Sequence, residues 1–171
     1  AASDVYKRQD EFNPALYKLT ATLNSGKQSE KKQVQFGMRD FKIEGKWFYV
    51  NGRKTMLRGT VENCDFPLTG YAPMDVASWE RVFRICRNYG LNHMRFHSFC
   101  PPEAAFIAAD LVGFYLQPEG PSWPNHGPRL GNGQPIDKYL MDETIALTKE
   151  YGNYASVPIH PKPGKKVSCR A

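Results

Sequence analysis

No run of about 18 apolar residues occurs in this sequence, so no segment is long enough to cross a bilayer as a helix, and no membrane partner is expected. The opening residues also lack the charged-then-apolar pattern of a signal peptide. Cysteine is sparse: Cys64, Cys86, Cys100 and Cys169 form no C-x-x-C pair and no metal-ligand spacing. A disulfide framework is therefore not expected, and neither a metal nor a cofactor is indicated. A concentrated charge is missing too. The net charge is +6, but Lys162, Lys165, Lys166 and Arg170 stand without an acid in 155–171, and Lys7 and Arg8 outweigh Asp4 in 1–9. The middle of the chain is nearly neutral, whereas a nucleic-acid binder would gather its charge on a folded face. No nucleic-acid partner is expected.

What is present suits a packed core. Apolar residues make up 41% of the chain and aromatics 13%, which argues against wholesale disorder. Residues 1–9, AASDVYKRQ, show no periodicity and read as an adapter-derived or disordered tail. From Leu16 to Leu23 the chain alternates, with Tyr17, Leu19, Ala21 and Leu23 on one face, as a half-buried strand does. Asn24-Ser25-Gly26 turns it into a second alternating run, Val34, Phe36 and Met38, and together they suggest the end of a β-sandwich. The stretch 47–57, WFYV-NG-RKTML, places Asn-Gly between apolar runs, a strong hairpin signal.

After Leu57 the rhythm becomes β-α-β-α-β-α. Met56 to Val61 is a short apolar run. Asp75 is positioned to cap a helix whose Trp79, Val82, Phe83 and Cys86 share one face, and Gly90 ends it. Cys86 thus reads as a buried small hydrophobe. Leu91 to Phe96 is a second strand, and Pro101-Pro102-Glu103 opens a helix that ends at Gly113. Phe114 to Leu116 is a third strand, then a loop rich in Gly, Pro and Asn runs to Pro135. Asp137 is expected to cap a third helix carrying Leu140, Thr144, Leu147 and Tyr151 and stopping at Gly152. This alternation implies a parallel sheet with right-handed crossovers. A doubly wound nucleotide fold would put G-x-G-x-x-G after the first strand, where ENCDFPLTGYAP stands instead, so a (β/α) barrel is favoured.

In a barrel, function gathers where strands end and βα loops begin. The first strand ends at Glu62 and Asn63, the second at Arg95, His97 and Ser98, and the third at Glu119, whose loop adds Trp123, Asn125 and His126. A ring to stack on, an Arg, two His and carboxylates suit a polyol such as a sugar. Each residue also has a duller reading. Arg95 pairs with Glu62 or Glu119 as readily as it meets a ligand, His97 alone reads as a hydrogen-bonded core histidine, and Trp123 packs beneath its loop. Trp79, Phe83 and Phe106 are helix-face residues and read as core.

The run 36–59, FGMRDFKIEGKWFYVNGRKTMLRG, resembles the sandwich-to-barrel junction of glycoside hydrolase family 2, the family of β-galactosidases, β-glucuronidases and β-mannosidases. The run 89–120, YGLNHMRFHSFCPPEAAFIAADLVGFYLQPEG, is similar to that family's second strand, second helix and third strand, with Asn92, Arg95, His97, Ser98, Asp110, Gly113 and Glu119 at matching places. His97-Ser98 reverses the family's commoner Ser-His, and Pro118 replaces the usual acid before Glu119. Trp123 and Asn125-His126-Gly127 resemble its His-Gly loop.

This resemblance implies an α/β chain: the first three βα units of a (β/α)8 TIM barrel, preceded by the last strands of an immunoglobulin-like β-sandwich. The corresponding divisions are 10–41 for the sandwich end, 42–154 for the barrel part, and 155–171 for an off-pattern tail. It implies a retaining β-glycosidase, β-galactosidase-like, acting on O-glycosidic bonds of a carbohydrate substrate. Arg95, His97, Ser98, Glu119, Trp123, Asn125 and His126 would bind substrate. Retention needs two carboxyls about 5–5.5 Å apart, one attacking the anomeric carbon and the other protonating the leaving oxygen. In the family those glutamates close the fourth and seventh strands, the former in an Asn-Glu pair. Here VPIHPKPGKKVSCRA follows instead, with three prolines ill-suited to a central strand. The chain is therefore expected to be an inactive fragment that aggregates through its open edge strand. A non-catalytic carbohydrate-binding module and a barrel of another retaining family are the alternatives.

Overall fold

The computed structural model describes residues 8–122 and 131–157. It is a mixed α/β structure with three small sheets and three helices. The first sheet is an antiparallel pair, β1 (Tyr17–Ser25) and β2 (Gln28–Phe36), registered so that Leu19 faces Val34 and Tyr17 faces Phe36. The two rings stack at 5.8 Å. The expected half-burial is not met: Leu19 is 57% exposed and Leu23 71% exposed. Alternation decides which face could be covered, but among the described residues no second sheet lies over it.

The second sheet joins β3 (Phe41–Glu44), β4 (Trp47–Val50) and β5 (Arg53–Thr55) in order. Asn51 and Gly52 both take positive φ, 54° and 78°, as a type I′ turn between β4 and β5 demands. Asn51 reaches further: its Oδ1 accepts the Asp40 N–H at 2.9 Å, and its Nδ2 donates to the Gln9 carbonyl at 3.0 Å.

The third sheet is parallel, with β6 (Gly59–Glu62), β7 (His93–Phe96) and β8 (Tyr115–Gln117) side by side. Its register sets Gly59, His93 and Tyr115 at one level and Val61, Arg95 and Gln117 at the next. Alternation then sends Met94, Phe96 and Leu116 to the other face, where α1 (Val76–Asn88) and α2 (Glu103–Val112) bury them. Asp75 caps α1 by accepting the Ser78 N–H at 2.8 Å, and the helix buries Trp79 and Phe83. Stacked and edge-on contacts link Trp79 to Phe83 and Phe96, and Phe83 to Phe114 at 4.9 Å. The inner helix α2 ends at Gly113 with φ 76°, where Arg87 donates Nη1 to the Val112 carbonyl at 2.6 Å.

The outer helix α3 (Pro135–Tyr151) buries none of its residues fully, although Tyr151 stacks on Phe106 at 4.3 Å. It starts two residues before the expected cap. Gln134 is the N-cap and Pro135 takes the first turn, where its missing N–H costs nothing. Asp137 instead accepts the N–H groups of Gly131 and Gly133 at 2.7 and 2.8 Å, fastening the approach to the helix.

Both margins of the packed region are tightly held. Gln9, 1% exposed, bonds Met38 and Asp110, while Ala155, Ser156 and Val157 are buried against α2 and β8.

Candidate functional site

At the C-terminal end of the parallel sheet the ends of β7 and β8 meet around one carboxylate. Glu119 accepts Nε and Nη2 of Arg95, the latter at 3.0 Å, the Ser98 N–H at 3.0 Å, and Gln117 Nε2 at 3.3 Å. Each carboxylate oxygen receives two donors, which fills the acceptor capacity of the group. Burial acts to raise the Glu119 carboxyl, but Arg95 and the Ser98 N–H outweigh it and hold it below the ordinary glutamate range. Glu119 is thus an ionised anchor at neutral pH. The side chain of Arg95 is 40% exposed, so one edge of its guanidinium remains on the open face. Of the two ion pairs open to Arg95 from sequence, Glu119 is the one formed. Glu62 turns to its own loop, accepting the Asp65 N–H at 3.3 Å.

Ser98 reaches Glu119 because its backbone is left-handed, φ 62°. For a non-glycine residue that conformation costs on the order of 1 kcal/mol, offset here by a charge-assisted bond to Glu119. The Ser98 hydroxyl is buried with no hydrogen-bond partner among the described residues. Cys64, in the loop after β6, is left-handed as well, φ 60°. His97 bridges the two loops, with Nδ1 3.2 Å from Asn63 Oδ1 and its N–H on the Glu62 carbonyl at 2.8 Å. If Nδ1 donates, the neutral ring carries its lone pair on Nε2.

Arg95, Ser98 and Glu119 are thereby gathered within one hydrogen-bonded cluster, and His97, next to Ser98, ties it to the loop after β6. Trp123, Asn125 and His126 lie outside the described residues. Gln117 lay beyond the sequence-predicted groups, whereas Asn63, expected at the end of the first strand, holds His97. Strand alternation carries the signal for Gln117, two residues before Glu119 and level with Arg95 in register. One level further back His93, 8% exposed, packs over Gly59. Burial lowers its imidazole below the usual value, with Gln117 opposing.

Asn92 shares the motif with Arg95 but not the site. It sits at the opposite end of β7, 2% exposed, where Oδ1 accepts the Arg58 N–H at 2.7 Å and Nδ2 donates to the Met56 carbonyl at 3.1 Å.

No protein-family model matches the chain. A β-galactosidase of Thermoanaerobacterium thermosulfurigenes is 30% identical over 118 residues, 68% of this chain and 16% of that protein. A β-galactosidase of Staphylococcus xylosus is 26% identical over 107 residues, 63% of this chain and 10% of that protein. Among solved structures, a β-glucuronidase of Parabacteroides merdae superposes with TM-score 0.71 at 25% identity over 88% of this chain and 18% of its own. A glycosyl hydrolase family 2 member from Bacteroides cellulosilyticus superposes with TM-score 0.70 at 21% identity, covering 88% of this chain and 20% of its own. The chain thus resembles the glycoside hydrolase family 2 enzymes among its neighbours. It spans a sixth or less of the curated relatives it matches, 16% and 10% of their lengths.

Proposed function

We propose that residues 10–154 are the sandwich end and first three βα units of the (β/α)8 barrel of a retaining, β-galactosidase-like β-glycosidase that hydrolyses O-glycosidic bonds. Arg95, His97, Ser98, Glu119, Trp123, Asn125 and His126 form one side of its sugar pocket. The observation that supports this reading is the convergence of the β7 and β8 ends on Glu119, with the end of β6 tied to them through Asn63 and His97. A saturated carboxylate holds Arg95 and the Ser98 turn in fixed geometry, which lets the exposed guanidinium edge and the His97 ring meet hydroxyls without first being ordered.

The 171-residue chain itself is non-catalytic. Glu119 has no acceptor capacity left for attack on an anomeric carbon or for proton transfer, and a retaining reaction needs two carboxyls spaced for those roles. The purified chain is expected to turn over neither a chromogenic β-galactoside nor a β-glucuronide, and steady release of chromophore would refute this. For the parent activity, a longer open frame of the source DNA is expected to encode Asn-Glu closing a fourth strand and a second glutamate beyond. Its product should release the β-anomer first, as seen by proton NMR. A longer intact frame without those glutamates would reject the glycosidase reading.

A further inference from the structure

Behind the Arg95–Glu119 pair, the face of the parallel sheet turned away from the helices carries two more polar side chains. Strand alternation puts His93 on the face of Arg95, and the register sets Gln117 level with Arg95 and diagonal to His93. His93, 8% exposed, lies in a slot that β6 leaves open, since a Cβ on Gly59 would collide with its Nδ1. On the β8 side the ring has Gln117 as its hydrogen-bond partner. Gln117 in turn donates Nε2 to Glu119 Oε1 at 3.3 Å, the same oxygen that accepts Arg95 Nε.

The far end of this row sets its polarity. An ionised carboxylate can only accept, so Gln117 must present its amide NH2 to Glu119, which leaves its carbonyl oxygen for a donor from behind. With Nδ1 over Gly59, Nε2 is the ring nitrogen remote from β6. Burial holds the His93 imidazole below its ordinary range, so above neutral pH the ring is uncharged and one nitrogen alone carries a proton.

We infer that His93 and Gln117 are positioning residues for the Arg95–Glu119 anchor, joined in a one-way donor row from His93 Nε2–H to Gln117 Oε1 and from Gln117 Nε2–H to Glu119 Oε1. Each donor polarises the next, which strengthens the bond that reaches the carboxylate. The row holds Oε1 where Arg95 Nε meets it. Its value to a sugar pocket rests on the function proposed above, but the row itself is read without sugar. Absence of the row therefore leaves the glycosidase reading in place, and a longer frame without the two glutamates leaves the row in place. Long-range proton–nitrogen correlation NMR of the full chain at pH 8 reads the ring directly. In the unaltered chain His93 is expected as a single tautomer protonated at Nε2. In Gln117→Leu that preference is expected to be lost, and the Arg95 Nε–H is expected to exchange with water at least about fivefold faster. Glu119→Gln removes the acceptor-only group two side chains away and is expected to unfix the tautomer as well, a change that packing around the ring alone would not produce. The α1 amides from Phe83 to Arg87 are expected to keep their exchange rates in both variants. Should Gln117→Leu lose its fold, the tautomer of the unaltered chain still decides. His93 protonated at Nδ1 in the unaltered chain, or a tautomer and an Arg95 exchange rate indifferent to Gln117→Leu, would overturn the row.

Discussion

Asn92→Leu isolates what the asparagine of the Asn-x-x-Arg pattern does. The replacement keeps the branched shape of a side chain that is 2% exposed and removes two bonds, the one accepted from the Arg58 N–H at 2.7 Å and the one given to the Met56 carbonyl at 3.1 Å. A buried backbone group left without a partner costs about 1–3 kcal/mol. Arg58 and Met56 are both exposed and the Met56 carbonyl also accepts Arg58 Nη1 at 3.3 Å, which holds the sum to about 2 kcal/mol. That is a large share of the roughly 5–15 kcal/mol that holds an ordinary domain together. Arg95→Ala, three residues along the same strand, removes a partly solvated ion pair worth about 1 kcal/mol or less. Urea unfolding followed by far-UV circular dichroism reads both changes. With a slope of about 2 kcal/mol per molar, the midpoint is expected to fall by about 1 M in Asn92→Leu and by under about 0.5 M in Arg95→Ala. Equal shifts in the two variants would refute the division of this motif into a structural half and a site half.

Other perturbations probe neighbouring features. Gly59→Ala places a Cβ 2.4 Å from His93 Nδ1 and should cost about 1–3 kcal/mol; His93→Ala should recover part of that loss in a double-mutant cycle of urea midpoints. Because the folded Glu119 carboxyl is held below its ordinary value of 4.5, its stabilising contribution is present above that pH and is lost as pH falls through the lower folded value. The difference in urea midpoint between the unaltered chain and Glu119→Gln should therefore narrow on acidification from pH 6 toward 3, and a gap that widens would contradict the pairing. Burial, with the Glu143 charge adding, pushes the Cys100 thiol up to about 12, so at pH 8 iodoacetamide should label exposed Cys64 well before Cys100, as read by peptide mass mapping.

Local chemistry was legible in the sequence wherever a single residue type decides the backbone. Asp75 and the Asn51-Gly52 pair are two such places, and the order of strands and helices followed from apolar spacing. Strand ends could be located, and with them Arg95, His97 and Ser98, but pairing could not: Arg95 had two acids within plausible reach, and only the register of β7 against β8 brings Glu119 to it. Gln117 was missed because alternation marks only its face, and the register of β7 against β8 is what sets it level with Arg95. Asp137 misled because an aspartate before a helical run looks the same whether it caps the helix or, as here, accepts from the loop ahead of a Pro-initiated turn. The grip of Arg39 and Asp110 on residues 155–157 was invisible for a related reason. Each of those groups reads as ordinary surface or helix polarity until three distant segments are folded together.

The margins of the packed region have a consequence for chain topology. Gln9 donates Nε2 to the Asp110 carbonyl at 2.9 Å, while Ser156 donates its N–H to the carboxylate of that same residue. Gln9 and Ala155 also flank Gly37, where a Cβ would lie 3.1 Å from the Gln9 Cβ and 2.6 Å from the Ala155 Cβ. The path from Gln9 to Val157 is thus almost a closed ring clasped at one aspartate. A short linker joining those two margins, with new ends opened at the exposed turn after Ser25, would reorder the sequence while leaving every bond around Asp110 in place.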